Sequence, residues 1–341
     1  MKGKILALLL IFAMVIVSAC GNKEEASNGE KSGDNASNDN VYTLKLGTAL
    51  TPTDPIYQGL EAFKAAVEEK TEGKVVIEIY GSGALGEDKD IVEQAIMGAN
   101  VGVIVDTGRL AEMVPEIGIL SAPYIVDSYD EAREVVMSDL FKGWEEKLVN
   151  EFDVEILSFN WYQGDRHLLT NKPINKPEDL KGLKLRTPGA AIWTETITAM
   201  GASPAGMPWS EVYPGVQQGV IDGAEAQHPA TYGAKLHEVI SNISKTSHFQ
   251  LLTGLVVGSQ WMETLPTEYQ EILKEEAFIA GDEASTNTVN MLDDFEQKMV
   301  DEGVEVIEVD KALFKEKTDA VYDKFEGYQE LRQQINELLG K

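Results

Sequence analysis

Residues 267–302 run for 36 positions with no proline and one glycine, Gly281. Such a stretch reads as a single helix, far longer than the three or four turns usual in globular proteins, with Gly281 as the point where it would kink. The rest of the body alternates between strand-like and helix-like segments. Residues 42–46 alternate with period two. Asp54-Pro55 is an N-cap and first-turn pair, and Leu60, Phe63 and Val67 mark one helical face as far as Lys70. Residues 74–80 are rich in β-formers and stop at Gly81-Ser82-Gly83; 87–97 read as a helix and 101–106 as a strand. This order implies parallel strands joined by crossover helices. A second series begins at Val154, with strands at 154–161 and 182–186, a helix at 192–200 and helical residues at 209–218. Segments 238–244 and 253–259 lean to β, 304–309 read as a last strand, and helices fill 311–339. Two α/β series joined by crossing strands imply two lobes around a central cleft, where ligands commonly bind.

The N-terminus points to export. Lys2 and Lys4 precede an apolar run of about thirteen residues, Ile5 to Val17, too short to span a bilayer and of signal-peptide length. It ends in Val17-Ser18-Ala19-Cys20, which resembles a bacterial lipobox, with Cys20 as the lipidated residue. Cys20 is the single cysteine, so no intramolecular disulfide is available. Residues 21–40 hold no aliphatic or aromatic side chain larger than alanine and read as a flexible tether. The expected division is thus a lipoprotein signal peptide at 1–19 and a lipidated cysteine with its tether at 20–40. The expected location is the extracytoplasmic face of the cell membrane. The chain carries 29 basic and 57 acidic side chains, a net charge of −28, and loss of the leader removes two lysines and no acid. So acidic a surface disfavours nucleic acid and anionic lipid as partners.

No Gly-rich phosphate loop, H-E-x-x-H or G-x-S-x-G occurs. His167, His228, His237 and His248 lack metal-site spacing, and 86–90 lack the spacing of a calcium loop, so neither metal nor cofactor is expected.

Residues 166–225 carry a run of specific motifs. They include Lys176-Pro177-Glu178-Asp179-Leu180-Lys181-Gly182-Leu183-Lys184-Leu185-Arg186-Thr187-Pro188, then Gly201-Ala202-Ser203-Pro204. Met207-Pro208-Trp209-Ser210-Glu211-Val212-Tyr213 and Gly219-Val220-Ile221-Asp222-Gly223-Ala224-Glu225 follow. Together with Leu44-Lys45-Leu46-Gly47, Thr71-Glu72-Gly73-Lys74, Ala84-Leu85-Gly86 and Ala122-Pro123-Tyr124, the chain from about Tyr42 onward resembles the solute-binding subunit of tripartite ATP-independent periplasmic (TRAP) transporters. The resemblance implies an α/β, two-lobed, periplasmic-binding-protein-like fold with crossing hinge strands and a long helix spanning both lobes. Lobe I is expected at 41–163 plus 252–291, and lobe II at 164–251 plus 292–341.

The resemblance also implies a site. Arg186 stands where the family pairs an arginine with the carboxylate of an organic acid, and Arg166 stands where sialic-acid-binding members have a second arginine. Guanidinium suits the task because its parallel donors match both carboxylate oxygens, which lysine cannot do. Trp209 stands where an aromatic packs on the ligand, Tyr162 lies just before Arg166, and Asp88, Asp106 and Glu225 align with polar positions of the sialic-acid site. Acids beside a bound carboxylate favour a hydroxylated acid, such as a sugar acid, over a plain dicarboxylate. Ala49, Ala226 and Gly189 replace polar residues of the sialic-acid type, which argues against sialic acid itself, and Gln227 and His228 are candidate replacements. The expectation is a non-enzymatic capture protein for a small organic acid, anchored through Cys20 and serving integral membrane permease subunits. The rivals are the binding lipoprotein of an ATP-driven importer and a surface-anchored hydrolase using clustered acids.

Overall fold

A computed structural model describes residues 40–341. The expected leader, Cys20 and all but the last tether residue lie outside the described residues. The chain opens with β1 (Tyr42–Gly47), α1 (Pro55–Lys70), β2 (Val75–Tyr80), α2 (Asp88–Ile96), β3 (Val101–Asp106) and the short α3 (Thr107–Leu110). As the capping reading expects, Asp54 closes the start of α1, its Oδ1 accepting from the Ile56 N–H at 2.8 Å. After α4 (Tyr129–Val136) and α5 (Asp139–Phe152), β4 (Val154–Asp165) crosses to β5 (His167–Thr170). Then come β6 (Lys184–Thr187), α6 (Ala191–Met200), β7 (Ser203–Gly206), α7 (Val212–Gln217), β8 (Gly223–Ala226), α8 (His228–Gly233) and β9 (Asn242–Ser244). β10 (Gln250–Gly258) returns, followed by α9 (Ser259–Met262), α10 (Thr267–Asp301), β11 (Glu305–Ile307), α11 (Lys311–Thr318) and α12 (Tyr328–Leu338).

Two sheets result, ordered β2-β1-β3-β10-β4 and β11-β9-β5-β8-β6-β7, one per lobe of an α/β two-lobed fold. The expected parallel pairing holds for β1 with β2 and β3, whereas β10 runs antiparallel to both β3 and β4. β3 is buried along its whole length. Val103 and Val105 face one core and Ile104 the other, so the strand reads as an unbroken apolar run. The first core lies under α2, α4 and α5. The second lies under α1 and the first half of α10. The smaller cores of the other sheet take in Met299 of α10 and Phe314 of α11.

α10 runs unbroken through Gly281. A β-carbon there would stand 2.3 Å from Oδ1 of Asn160, so this glycine makes room for β4 where the sequence suggested a kink. Ala277, Ala280, Ala284 and Ser285 extend the same small-residue face. Ser285 Oγ donates to the Asn160 carbonyl at 2.6 Å and accepts from the Tyr162 N–H at 2.7 Å, satisfying β4 backbone groups at the crossing.

Of the segment expected in lobe II at 292–341, Met299, Val304 and Phe314 pack in the cores of the second sheet, and the part from Val321 onward packs elsewhere. Val321, Tyr322, Tyr328, Leu331 and Ile335 share a core with Ile117 and Phe141 of the first lobe. Tyr322 and Tyr328 donate their hydroxyls to the Pro123 and Pro115 carbonyls at 2.8 and 2.9 Å. The apolar stripe of α12 has a place only there, since its residues recur three and four apart and must be covered together.

Candidate binding cleft

A cavity of about 80 Å³ lies between the lobes. From the first lobe come Thr48, Ala49 and Leu50 after β1, Asp88 of α2, Asp106 ending β3, and Arg109 of α3. From the crossing and the second lobe come Gln163, Arg166, Arg186, Trp193, Trp209 and Gln227.

Arg186 is on β6, which lies between β7 and β8, so its backbone is fixed on both sides. The residue is 2% exposed. Its Nε donates to the Met207 carbonyl at 2.9 Å, and its guanidinium carbon sits 5.1 Å from the centroid of the Trp209 ring. Among the described residues, no hydrogen bond or ion pair engages its two terminal nitrogens. Burial, then the neighbouring Arg166 and Arg109, press its pKa down to about 9, partly offset by Glu225 and Asp88. The guanidinium stays charged at neutral pH, and its charge is under-compensated where it faces the cavity.

Arg166 is held differently. It joins β4 to β5 at the lobe crossing, its N–H donating to the Phe249 carbonyl at 2.9 Å and its carbonyl accepting from the His248 N–H at 3.3 Å. Its Nε meets a Glu225 carboxylate oxygen, its Nη2 meets the Glu225 carbonyl, and Nη1 reaches Oε1 of Gln227 at 3.4 Å. The Trp193 ring lies 5.1 Å away. Glu225 is fully buried and also accepts from the Thr187 hydroxyl at 3.1 Å, with His248 Nε2 3.7 Å distant. Burial alone would raise the Glu225 pKa, but Arg166 and His248 outweigh it and hold the carboxyl below its ordinary value.

The opposite wall is acidic. Asp106 caps α3 by accepting from the Arg109 N–H at 3.0 Å, and its other oxygen pairs with the Arg109 side chain. Asp88 stands 3.6 Å from the same guanidinium. Burial pushes the Asp88 carboxyl up to about 6, against the pull of Arg109 and with a push from Asp106.

Of the residues singled out from sequence, Arg186, Arg166, Trp209, Asp88 and Asp106 meet at one cavity. Glu225 stands behind Arg166 and does not line it. Tyr162 is turned away: it stacks on Tyr129 at 5.1 Å and donates to Oε1 of Gln250 at 2.6 Å. Gln227 lines the cavity, bonded to Gln163 at 2.8 Å, whereas His228 leaves it to pair with Glu296 at 3.0 Å. Arg109, Gln163, Trp193 and Thr253 were not read as site residues. Arg109 stands three positions after Asp106 on the same turn, and that spacing was the available signal.

The family model for bacterial extracellular solute-binding proteins, family 7 (DctP), matches residues 46–328. The sialic acid-binding periplasmic protein SiaP of Vibrio cholerae is 28% identical over 83% of this chain and 88% of its own length. A TRAP periplasmic solute-binding protein from Escherichia fergusonii, solved in an apo open form, is 42% identical. It covers 87% of this chain and 100% of that one, with a TM-score of 0.77. Another, from Ochrobacterium anthropi with bound L-fuconate, is 34% identical over 87% and 100% of the two chains, with a TM-score of 0.84. Cleft, crossing strands, long helix and family match agree: the chain belongs to the family-7 (DctP) extracellular solute-binding proteins, the solute-binding subunits of TRAP transporters.

Proposed function

We propose that the cleft captures a small hydroxylated organic acid and that Arg186 pairs with its carboxylate. One observation carries the reading: Arg186 is buried, fixed on a central strand and facing the cavity, and the described residues offer its terminal nitrogens no acid. A carboxylate arriving there accepts two parallel N–H bonds and relieves the crowding of three cations. Trp209 flanks the guanidinium, and Arg166, held by Glu225, adds positive potential behind it. Asp88 and Asp106 would repel a second carboxylate at the far wall but accept hydroxyl hydrogens well. The sugar acid held by the Ochrobacterium relative and the sialic acid named for the Vibrio relative fit that preference.

Capture is non-enzymatic in this reading, and the closed form delivers its acid to integral membrane permease subunits. Residues 1–19 act as a lipoprotein signal peptide, and Cys20 carries the lipid that anchors the protein outside the cytoplasm. The lobes divide near 163–164, 251–252 and 291–292, with α12 returning to the first lobe.

A thermal-shift panel of succinate, L-fuconate, D-glucuronate and N-acetylneuraminate tests the ligand class. A true ligand at a hundred times its Kd adds about 2.7 kcal/mol of stability. The expected order places the hydroxylated hexonate and hexuronate above succinate. A shift for succinate alone would overturn the role given to Asp88 and Asp106, and catalytic turnover of any panel member would overturn the non-enzymatic reading.

A further inference from the structure

Away from the cavity, the two lobes meet where the loop after β1 touches the end of α8. A β-carbon added to Gly233 would lie 2.7 Å from Oγ1 of Thr51 and 3.7 Å from Oγ1 of Thr53. The two threonine hydroxyls hydrogen-bond to each other at 3.0 Å, which keeps the Thr51 oxygen on the seam. Gly233 closes a helical segment with an ordinary right-handed backbone, so its own conformation does not call for glycine. Neither Thr51 nor Gly233 lines the cavity, although their neighbours Leu50 and Ala230 do. On another stretch of the seam, a β-carbon on Gly108 of the first lobe would come within 3.1 Å of Ala190 Cβ in the second. The whole chain also superposes better on the L-fuconate-bound relative than on the open apo relative, even though the open one is more similar in sequence.

We infer that Gly233 sets how far the cleft closes: its bare Cα lets the lobes meet at Thr51, and a side chain there props them apart and weakens ligand capture without touching ligand. This rests on the reading of the cleft as a solute site. The cavity walls come from both lobes, so an acid held by Arg186 reaches Asp88 and Asp106 only when the lobes meet. Affinity then scales with the fraction of molecules able to close. Overpacking of a tight contact of this kind corresponds to roughly 5- to 150-fold in an equilibrium constant.

Two experiments test the seam, one of them independent of any ligand. In a Cys20→Ser background, Thr51→Cys combined with Gly233→Cys brings two β-carbons to the 3.8 Å separation seen here, close to the mean for disulfides. Mild oxidation of the ligand-free protein should give an intramolecular disulfide, resolved by non-reducing electrophoresis and thiol titration. Thiols that stay free would overturn the seam whatever the protein binds. In the second experiment, Gly233→Ala should weaken binding of the panel's best acid by at least about fivefold, measured by calorimetry. Adding Thr51→Ala leaves Oγ1 of Thr53, at 3.7 Å, as the nearest atom, an ordinary contact, and should restore affinity to within about twofold of Thr51→Ala alone. Unchanged affinity in Gly233→Ala, or no rescue in the double variant, would refute the inference. If the wild type binds no acid in the panel, the solute reading fails, and the disulfide result still decides the seam.

Discussion

Replacing Glu225 by glutamine isolates the one fully buried carboxylate behind the cleft. The carboxylate accepts from Arg166 and from the Thr187 hydroxyl, and Arg166 is itself only 4% exposed. Glutamine keeps the volume and removes the charge, leaving Arg166 with the Gln227 side chain, the residue 225 carbonyl and no compensating anion. Breaking a buried pair from one side costs about 3–5 kcal/mol, a large share of the roughly 5–15 kcal/mol that holds a folded domain together. For a body of this size that corresponds to a loss of roughly 5–8 °C in Tm, read by differential scanning calorimetry without ligand. The loss must also depend on pH in one direction. The Glu225 pKa in the fold lies below its ordinary 4.5, so its contribution is complete above about pH 4.5 and disappears as pH falls through the lower folded value. The gap between wild type and Glu225→Gln should therefore be full at pH 7 and narrow below pH 4. A Tm within about 2 °C of wild type at pH 7, or a gap that widens on acidification, would refute the reasoning.

Three further outcomes follow from the geometry. Asp88→Asn should stabilise the ligand-free protein at pH 7.5 by on the order of 1 kcal/mol, because burial disfavours its ionised form. Its pKa is raised from 3.8 to about 6, so the gain should shrink as pH falls through 6 and vanish in melts taken below about pH 3, where both states carry the proton. Gly281→Ala should cost about 1–3 kcal/mol in urea unfolding, since the new methyl displaces Asn160, whose Nδ2 bonds the Phe278 carbonyl at 2.7 Å and Asp282 at 2.9 Å. Asp282→Ala should cost about 1–2 kcal/mol in the same assay, because it releases Arg133, Tyr129 and Asn160 together.

How much of this was legible in the sequence depended on burial pattern and element length. β3 and α10 were readable because one is apolar on both faces and the other runs 35 residues without a proline. β5, β7 and β8 hold four residues each, too few to display a period, and went unread. α4 and α5 also went unassigned, although Ser128 and Ser138 cap them and Ser128 precedes Glu131 by three positions, the spacing of a capping box. Gly281 looked like a kink because a sequence does not reveal what approaches a helix from the side. The two cleft arginines emerged from motif resemblance, since composition alone gives Arg186 no distinction in so acidic a chain. Arg109 escaped, despite its local spacing from Asp106, because only the fold brings Asp88 and the other cleft arginines to it, and Tyr162 drew attention by adjacency to Arg166 although alternation along β4 turns it away from the side that Gln163 presents to the cavity.

The central claim is that the Arg186 guanidinium grips a carboxylate, and isothermal titration of Arg186→Ala with the acid that most stabilises the wild type tests it most directly. Losing a buried, bidentate, charge-assisted pair is expected to weaken binding by at least about 3 kcal/mol, more than a hundredfold, while the ligand-free protein melts as a folded unit. Arg186→Lys, which restores the charge without the fork, should recover only part of the loss. A folded Arg186→Ala protein that binds the acid with wild-type affinity would contradict the account.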